Sequence, residues 1–96
     1  NLAKADIIVR SDANTDVKVV LINNNTVVSG KNFVGYTRFK NLPLNSEVMV
    51  LTMRNVNGEI SYALQPLRLQ KQNIITPTWK KGSVEELNRV FERLKS

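Results

Sequence analysis

The side chains in this sequence that could do chemistry are few, and the two most versatile types are missing. The chain has no His and no Cys. The commonest general base, the commonest metal ligand and the best thiol nucleophile are therefore all absent. Acid–base work would fall to eight Asp and Glu residues. Glu47 and Glu59 stand at opposite ends of one hairpin pattern, too far apart for the close carboxylate pair of glycoside cleavage. Asp12 and Asp16 share a short polar stretch with Asp6 nearby, and carboxylate oxygens suit Ca²⁺. Their spacing matches no defined calcium loop, however, and a Ser/Asp/Asn/Thr cluster ordinarily forms a turn. Ser29-Gly30-Lys31 lacks the upstream glycine and following helix of a phosphate loop. The expectation is a non-enzyme with no metal and no cofactor.

Binding chemistry is better represented. The net charge is +6, and residues 17–82 hold nine Lys or Arg against only Glu47 and Glu59. A basic body of this kind suits nucleic acid, anionic glycans or lipid headgroups. It equally suits solubility and the lysines that keep sheet edges from pairing. Aromatics interleaved with cations would mark a polyanion site. Tyr36, Arg38 and Lys40 form one such set, and Trp79, Lys80 and Lys81 another. Arg54 joins them as a cation on the mixed face of a hairpin. These seven residues are the candidate partner surface. The same aromatics could instead serve the core, with Tyr36 capping its edge and Trp79 sealing it against a helix.

Strands must position these groups. Glu47–Arg54 runs into Asn57-Gly58, and Glu59–Leu67 runs back. Asn-Gly is the dipeptide that best tolerates the two positive φ angles of a two-residue hairpin turn. That turn sets Val56 opposite Glu59, Met53 opposite Tyr62, Leu51 opposite Leu64 and Met49 opposite Pro66. Period-two alternation then gathers Met49, Leu51, Met53, Tyr62 and Leu64 on one apolar face, which is expected to be the core. The other face, with Thr52, Arg54, Ser61 and Gln65, is expected to meet solvent or a partner, so Arg54→Glu should leave folding intact.

Upstream, Asp6–Arg10, Val17–Ile22 and Thr26–Ser29 read as strands, with Asn23-Asn24-Asn25 as a tight turn. Gly30-Lys31-Asn32 reads as a turn and Phe33–Lys40 as one strand, which places Phe33 on the face opposite Tyr36. Asn41–Ser46 is a corner, with the strand ending by Leu42 because Pro43 cannot donate. Pro66 suggests a bulge, Lys71-Gln72-Asn73 a turn, and Ile74–Thr76 a last short strand. Ser83-Val84-Glu85-Glu86 is a capping box that opens a helix to Lys95, with Ser83 as the N-cap. Val84, Leu87, Val90, Phe91 and Leu94 make its apolar stripe. A helix this short is marginal alone, so the stripe must pack on this sheet, on a partner or on a further domain; packing in cis is the expectation.

At 96 residues and 42% hydrophobic content, the chain fits one domain. The expected fold is mainly β: an antiparallel, immunoglobulin-like β-sandwich of about seven strands over 1–82, with one C-terminal α-helix over 83–96 packed on the same domain. No apolar run approaches the ~20 residues of a membrane span. The chain opens on Asn1 without an initiator Met, as a mature product or an excised domain would.

The run Gly35-Tyr36-Thr37-Arg38-Phe39-Lys40-Asn41-Leu42-Pro43, continued to Val48-Met49-Val50, resembles the aromatic, Leu-Pro, Val-x-Val stretch of small immunoglobulin-like sandwiches. Fibronectin type III modules and prealbumin-like, carboxypeptidase-regulatory-like modules carry it. Arg54–Glu59 is similar to the hairpin between the last two strands of a fibronectin module. The early strands lack the Trp usual there, and the helix lies outside both families. The Asn-rich, Cys-free style is similar to small secreted Bacteroidetes proteins of unknown function. The resemblance implies an extracytoplasmic binding, adhesion or spacer module with a protein or glycan partner. Two other readings stand beside it: a polyanion-binding module, for nucleic acid or acidic glycan, and an accessory domain of a larger enzyme.

Overall fold

A computed structural model describes the backbone of residues 3–95 and the side chains of residues 3–93. Nine strands precede one helix: β1 (Lys4–Arg10), β2 (Thr15–Leu21), β3 (Thr26–Val28), β4 (Lys31–Phe33), β5 (Tyr36–Pro43), β6 (Glu47–Val56), β7 (Glu59–Arg68), β8 (Gln72–Ile75), β9 (Lys80–Gly82) and α1 (Val84–Lys95). They form a four-stranded sheet in the order β4-β5-β1-β8 and a five-stranded sheet in the order β3-β2-β6-β7-β9. Every pairing is antiparallel except β1 with β8. The chain is thus a mainly β, two-sheet sandwich with a C-terminal helix, and among the described residues the strands number nine rather than about seven.

The β6–β7 hairpin adopts the register that its turn dictates. Val56 faces Glu59, and the pairing runs unbroken to Glu47 and Arg68. Asn57 and Gly58 have φ of 53° and 85°. The Asn55 side chain accepts the Gly58 N–H at 3.0 Å and locks the turn. Pro66 causes no bulge. Counting from a two-residue turn, even-numbered β7 residues direct their amides away from β6. The missing donor of Pro66 therefore falls on the edge that β9, paired only with residues 60–62, leaves open.

The two faces of this hairpin are exchanged relative to expectation. Val48, Val50 and Thr52, from the mixed face, are the residues buried between the sheets. The valines join Ala5, Ile7, Val9, Val19, Phe39 and Leu69 in the main core. The apolar face of Met49, Leu51, Met53, Tyr62 and Leu64 points outward. There Leu51 is fully buried, while Met49, Met53 and Tyr62 are half-buried and Leu64 is exposed. Compact β-branched side chains fill the narrow space between sheets, and Met53 and Tyr62 on the outer face meet α1.

The helix docks on that outer face. Buried Leu87 lines a small cavity with Met53, Asn55 and Ile60. The Tyr62 hydroxyl donates to Glu86 Oε1 at 2.8 Å. The Tyr62 ring lies so close over Gly82 that a Cβ there would come within 2.7 Å of it. Half of the capping box forms: Ser83 Oγ accepts the Glu86 N–H at 3.1 Å, but the Glu86 carboxylate goes to Tyr62 instead of back to Ser83. Val84 is exposed, Val90 and Phe91 are half-buried, and Leu94 lies outside the described side chains. Glu86 holds the Tyr62 phenol above its ordinary pKa, chiefly by accepting its proton in a hydrogen bond. A raised folded-state value stabilises the fold below the unfolded pKa and loses that contribution as pH rises through the folded value. We therefore expect Tyr62→Phe to flatten the decline of melting temperature above about pH 10; an unchanged alkaline limb would show that this bond does not form.

The polar residues of the first sheet follow turn chemistry. β5 carries one extra residue opposite Asp6. Asn41 takes φ 63° in this bulge, and Asp6 Oδ1 accepts its N–H at 3.2 Å. The 71–73 stretch is a strand start rather than a free turn. Asn73 is buried there, donating to the carbonyls of Asp6 and Gln70 at 2.8 and 2.9 Å and accepting the Gln70 N–H at 3.0 Å.

Candidate ligand face and sandwich mouth

The seven candidate residues separate into three places. Tyr36, Arg38 and Lys40 lie on the outer face of the four-stranded sheet, because Thr37 and Phe39 between them point into the core. Phe33 joins them, contrary to expectation. The turn falls at Val34-Gly35, with Gly35 at φ 85°, so β4 folds back and pairs Phe33 with Tyr36 and Lys31 with Arg38. Phe33 is the hub of the resulting cluster. Its ring stacks on Tyr36 with centroids 4.9 Å apart and planes 11° from parallel. The Arg38 guanidinium carbon lies 4.9 Å from its centroid and Lys31 Nζ 5.4 Å. A Val-Gly pair between two aromatics was the signal for this hairpin. Reading 33–40 as one strand misses it, and with it both Phe33 and Lys31.

Arg54 and Trp79 meet at one open end of the sandwich, beyond Thr52 on the inward face of β6. The guanidinium sits 4.2 Å from the Trp79 ring centroid, a cation–π contact, and 3.8 Å from Asp12 Oδ2. Arg54 is thus half-buried, with Trp79 and Asp12 as partners. Trp79 closes this end against Arg54, and the helix packs elsewhere. The two residues border a cavity of about 340 Å³, shared with Arg10, Asp12 and Pro77.

Asp12 is spent on its own loop. Its Oδ1 accepts the Thr15 hydroxyl at 2.7 Å and the Asn14 N–H at 3.0 Å. The Thr15 bond first, then the Asn14 amide, with Arg54 adding charge, holds this carboxyl below its ordinary pKa. A carboxylate so held is a poor general base near neutral pH. The other acids are similarly dispersed: Asp16 pairs with Lys18 at 3.7 Å, and Glu47 with Arg68 at 2.6 Å. Among the described residues no group of three or more acidic side chains is placed to hold a metal ion.

Lys80 and Lys81 form the third place, on edge strand β9. They sit opposite Tyr62 and Ser61 and so point to opposite faces of the sheet; they do not act as one patch. The sheet face and the mouth do adjoin. Gly35 borders the mouth cavity and also a shallow concavity of about 300 Å³ formed with Ile8, Arg10, Tyr36 and Ile74. No protein-family model matches this chain, and no curated protein or solved structure matches it.

Proposed function

We propose that this chain is a non-catalytic, extracytoplasmic binding module of immunoglobulin-like type, and that it takes an anionic ligand on the outer face of its four-stranded sheet. One observation carries the reading. Lys31 and Arg38 flank the Phe33–Tyr36 stack on a face that no other described element covers. Among the described residues neither cation has a carboxylate within 4.0 Å. The stack fixes the positions of both cations, which lowers the entropy that a flexible Lys or Arg loses on binding. The opposite sheet carries α1 on its outer face, which leaves the four-stranded sheet as the open one. The extracytoplasmic setting rests on the resemblance of Tyr36–Val50 to immunoglobulin-like modules. A signal peptide encoded upstream of Asn1 would support it.

The test is a salt series. Retention on a heparin column should fall steeply between 50 and 500 mM NaCl, because each neutralised anionic group releases a condensed counterion (concentrations of about this range bracket the effect). Lys31→Glu with Arg38→Glu should abolish retention while leaving the melting temperature in place. Retention that survives the double substitution would assign the binding to charge elsewhere and sink the proposed face.

A further inference from the structure

We infer that the anionic partner of this face is a bilayer surface rich in anionic lipid, engaged through the tip of the β4–β5 hairpin. This rests on the reading of the face as an anion-binding one and goes further in naming the partner. Val34, at the tip, is 100% exposed, and Ile74, on β8 at the opposite edge of the sheet, is 69% exposed. They are the two most exposed large apolar side chains among the described residues; Ile74 lies on the basic face, and Val34 stands at the tip of the hairpin that borders it, beside Ser11, Asp12 and Ala13. Ile74 shares its concavity with Ile8, Tyr36 and Gly35, the residue that follows Val34. An apolar strip therefore runs from the sheet face onto the hairpin tip.

Cations frame the strip. Alternation along the strands puts Lys4, Arg10, Lys31, Arg38 and Lys40 on this face against one acid, Asp6. Asp6 is engaged by the Asn41 N–H. Asp12, at the adjoining mouth, is paired with Arg54. Aromatic rings behind an apolar tip, with cations beside them, match the layering of a membrane interface: acyl chain, carbonyl level, then headgroup charge.

Other anionic partners fit less well. Single-stranded nucleic acid needs open ring faces for stacking, and the Phe33 ring already carries Tyr36, Arg38 and Lys31. A sulfated glycan would use the cations but gains nothing from a fully exposed Val34.

Sedimentation of the full chain with vesicles tests this. We expect it to pellet with phosphatidylcholine vesicles containing phosphatidylglycerol and to stay in solution with phosphatidylcholine alone. Each neutralised cation should lower partitioning about fivefold. Val34→Asn, which removes the apolar group without adding charge, should lower it about tenfold or more, with no effect on heparin retention. Val34→Trp should add a blue-shifted emission component only with anionic vesicles. Circular dichroism of each variant checks that the tip substitutions leave the sheet intact. Heparin retention without vesicle binding, or vesicle binding indifferent to Val34→Asn, would overturn the membrane assignment and leave the anionic face standing. Loss of both activities from the parent chain would overturn the face as well.

Discussion

Replacing Leu51 by Ala should cost about 3 kcal/mol, the range for a buried Leu that leaves a cavity. The equivalent change at Leu64, its cross-strand partner, should cost clearly less, about 1 kcal/mol, since that side chain is only partly buried. Both residues lie on the outward face of the β6–β7 hairpin, yet Leu51 is fully buried and Leu64 is 38% exposed. Leu51 lies on β6 between β2 and β7, and α1, docked on the same face through Leu87 and Glu86, is the element expected to cover it. Urea unfolding of the two variants measures the contrast directly. A chain ending at Gly82 adds the decisive comparison. Without the helix, the Leu51→Ala penalty should shrink toward that of Leu64→Ala. An equal and small loss at both positions in the full chain would mean that α1 does not rest on this sheet in solution.

Asn73 is expected to be the most sensitive polar position. Asn73→Ala leaves the Asp6 and Gln70 carbonyls and the Gln70 amide without their side-chain partner, at about 2–3 kcal/mol. Asn73→Asp should be worse near neutral pH. The substituted carboxylate keeps the acceptor but replaces two donated hydrogen bonds with repulsion between oxygens. Its pH dependence gives a signature. Burial against carbonyls favours the protonated acid, which can donate, so the folded-state pKa is raised. Stability of Asn73→Asp should therefore recover at pH below about 4, the ordinary Asp value, and fall as pH rises through the elevated one. Thermal melts of the two variants from acid to neutral pH would show it. Parallel curves for Asn73→Ala and Asn73→Asp would mean that these bonds carry no weight.

What the sequence shows and hides follows from how local each signal is. The β6–β7 register is legible because Asn57-Gly58 sets it within two residues, and every later pair is fixed by counting. The helix is legible because Ser83, Glu86 and the apolar stripe all lie inside one stretch. Which hairpin face meets the other sheet is not legible in the same way. Both faces bury apolar side chains, one against strands distant in sequence and the other partly beneath α1, so apolar content no longer tells inside from outside. Met49, Leu51 and Met53 are the more hydrophobic set and still lie on the outside. The candidate face was half legible. Alternation placed Tyr36, Arg38 and Lys40 together, but Phe33 and Lys31 join only through a turn that a Gly30-Lys31-Asn32 reading displaces by four residues. The pairing of Arg54 with Trp79 spans 25 positions and had no local signal at all.

The single parallel pairing, Asp6–Val9 of β1 with Gln72–Ile75 of β8, bears on how the chain reaches this state. β1 is an interior strand whose second neighbour is synthesised more than sixty residues later. Until then Ile7 and Val9 flank an open row of amides and carbonyls. Pairings between such distant segments slow folding and prolong the exposure of unpaired edges. On the ribosome β1 and β5 can pair early, but the first sheet cannot close before Ile75 has left the exit tunnel. A nascent chain stalled ahead of Gln72 would be the species most prone to self-association, and β1 the segment through which it associates.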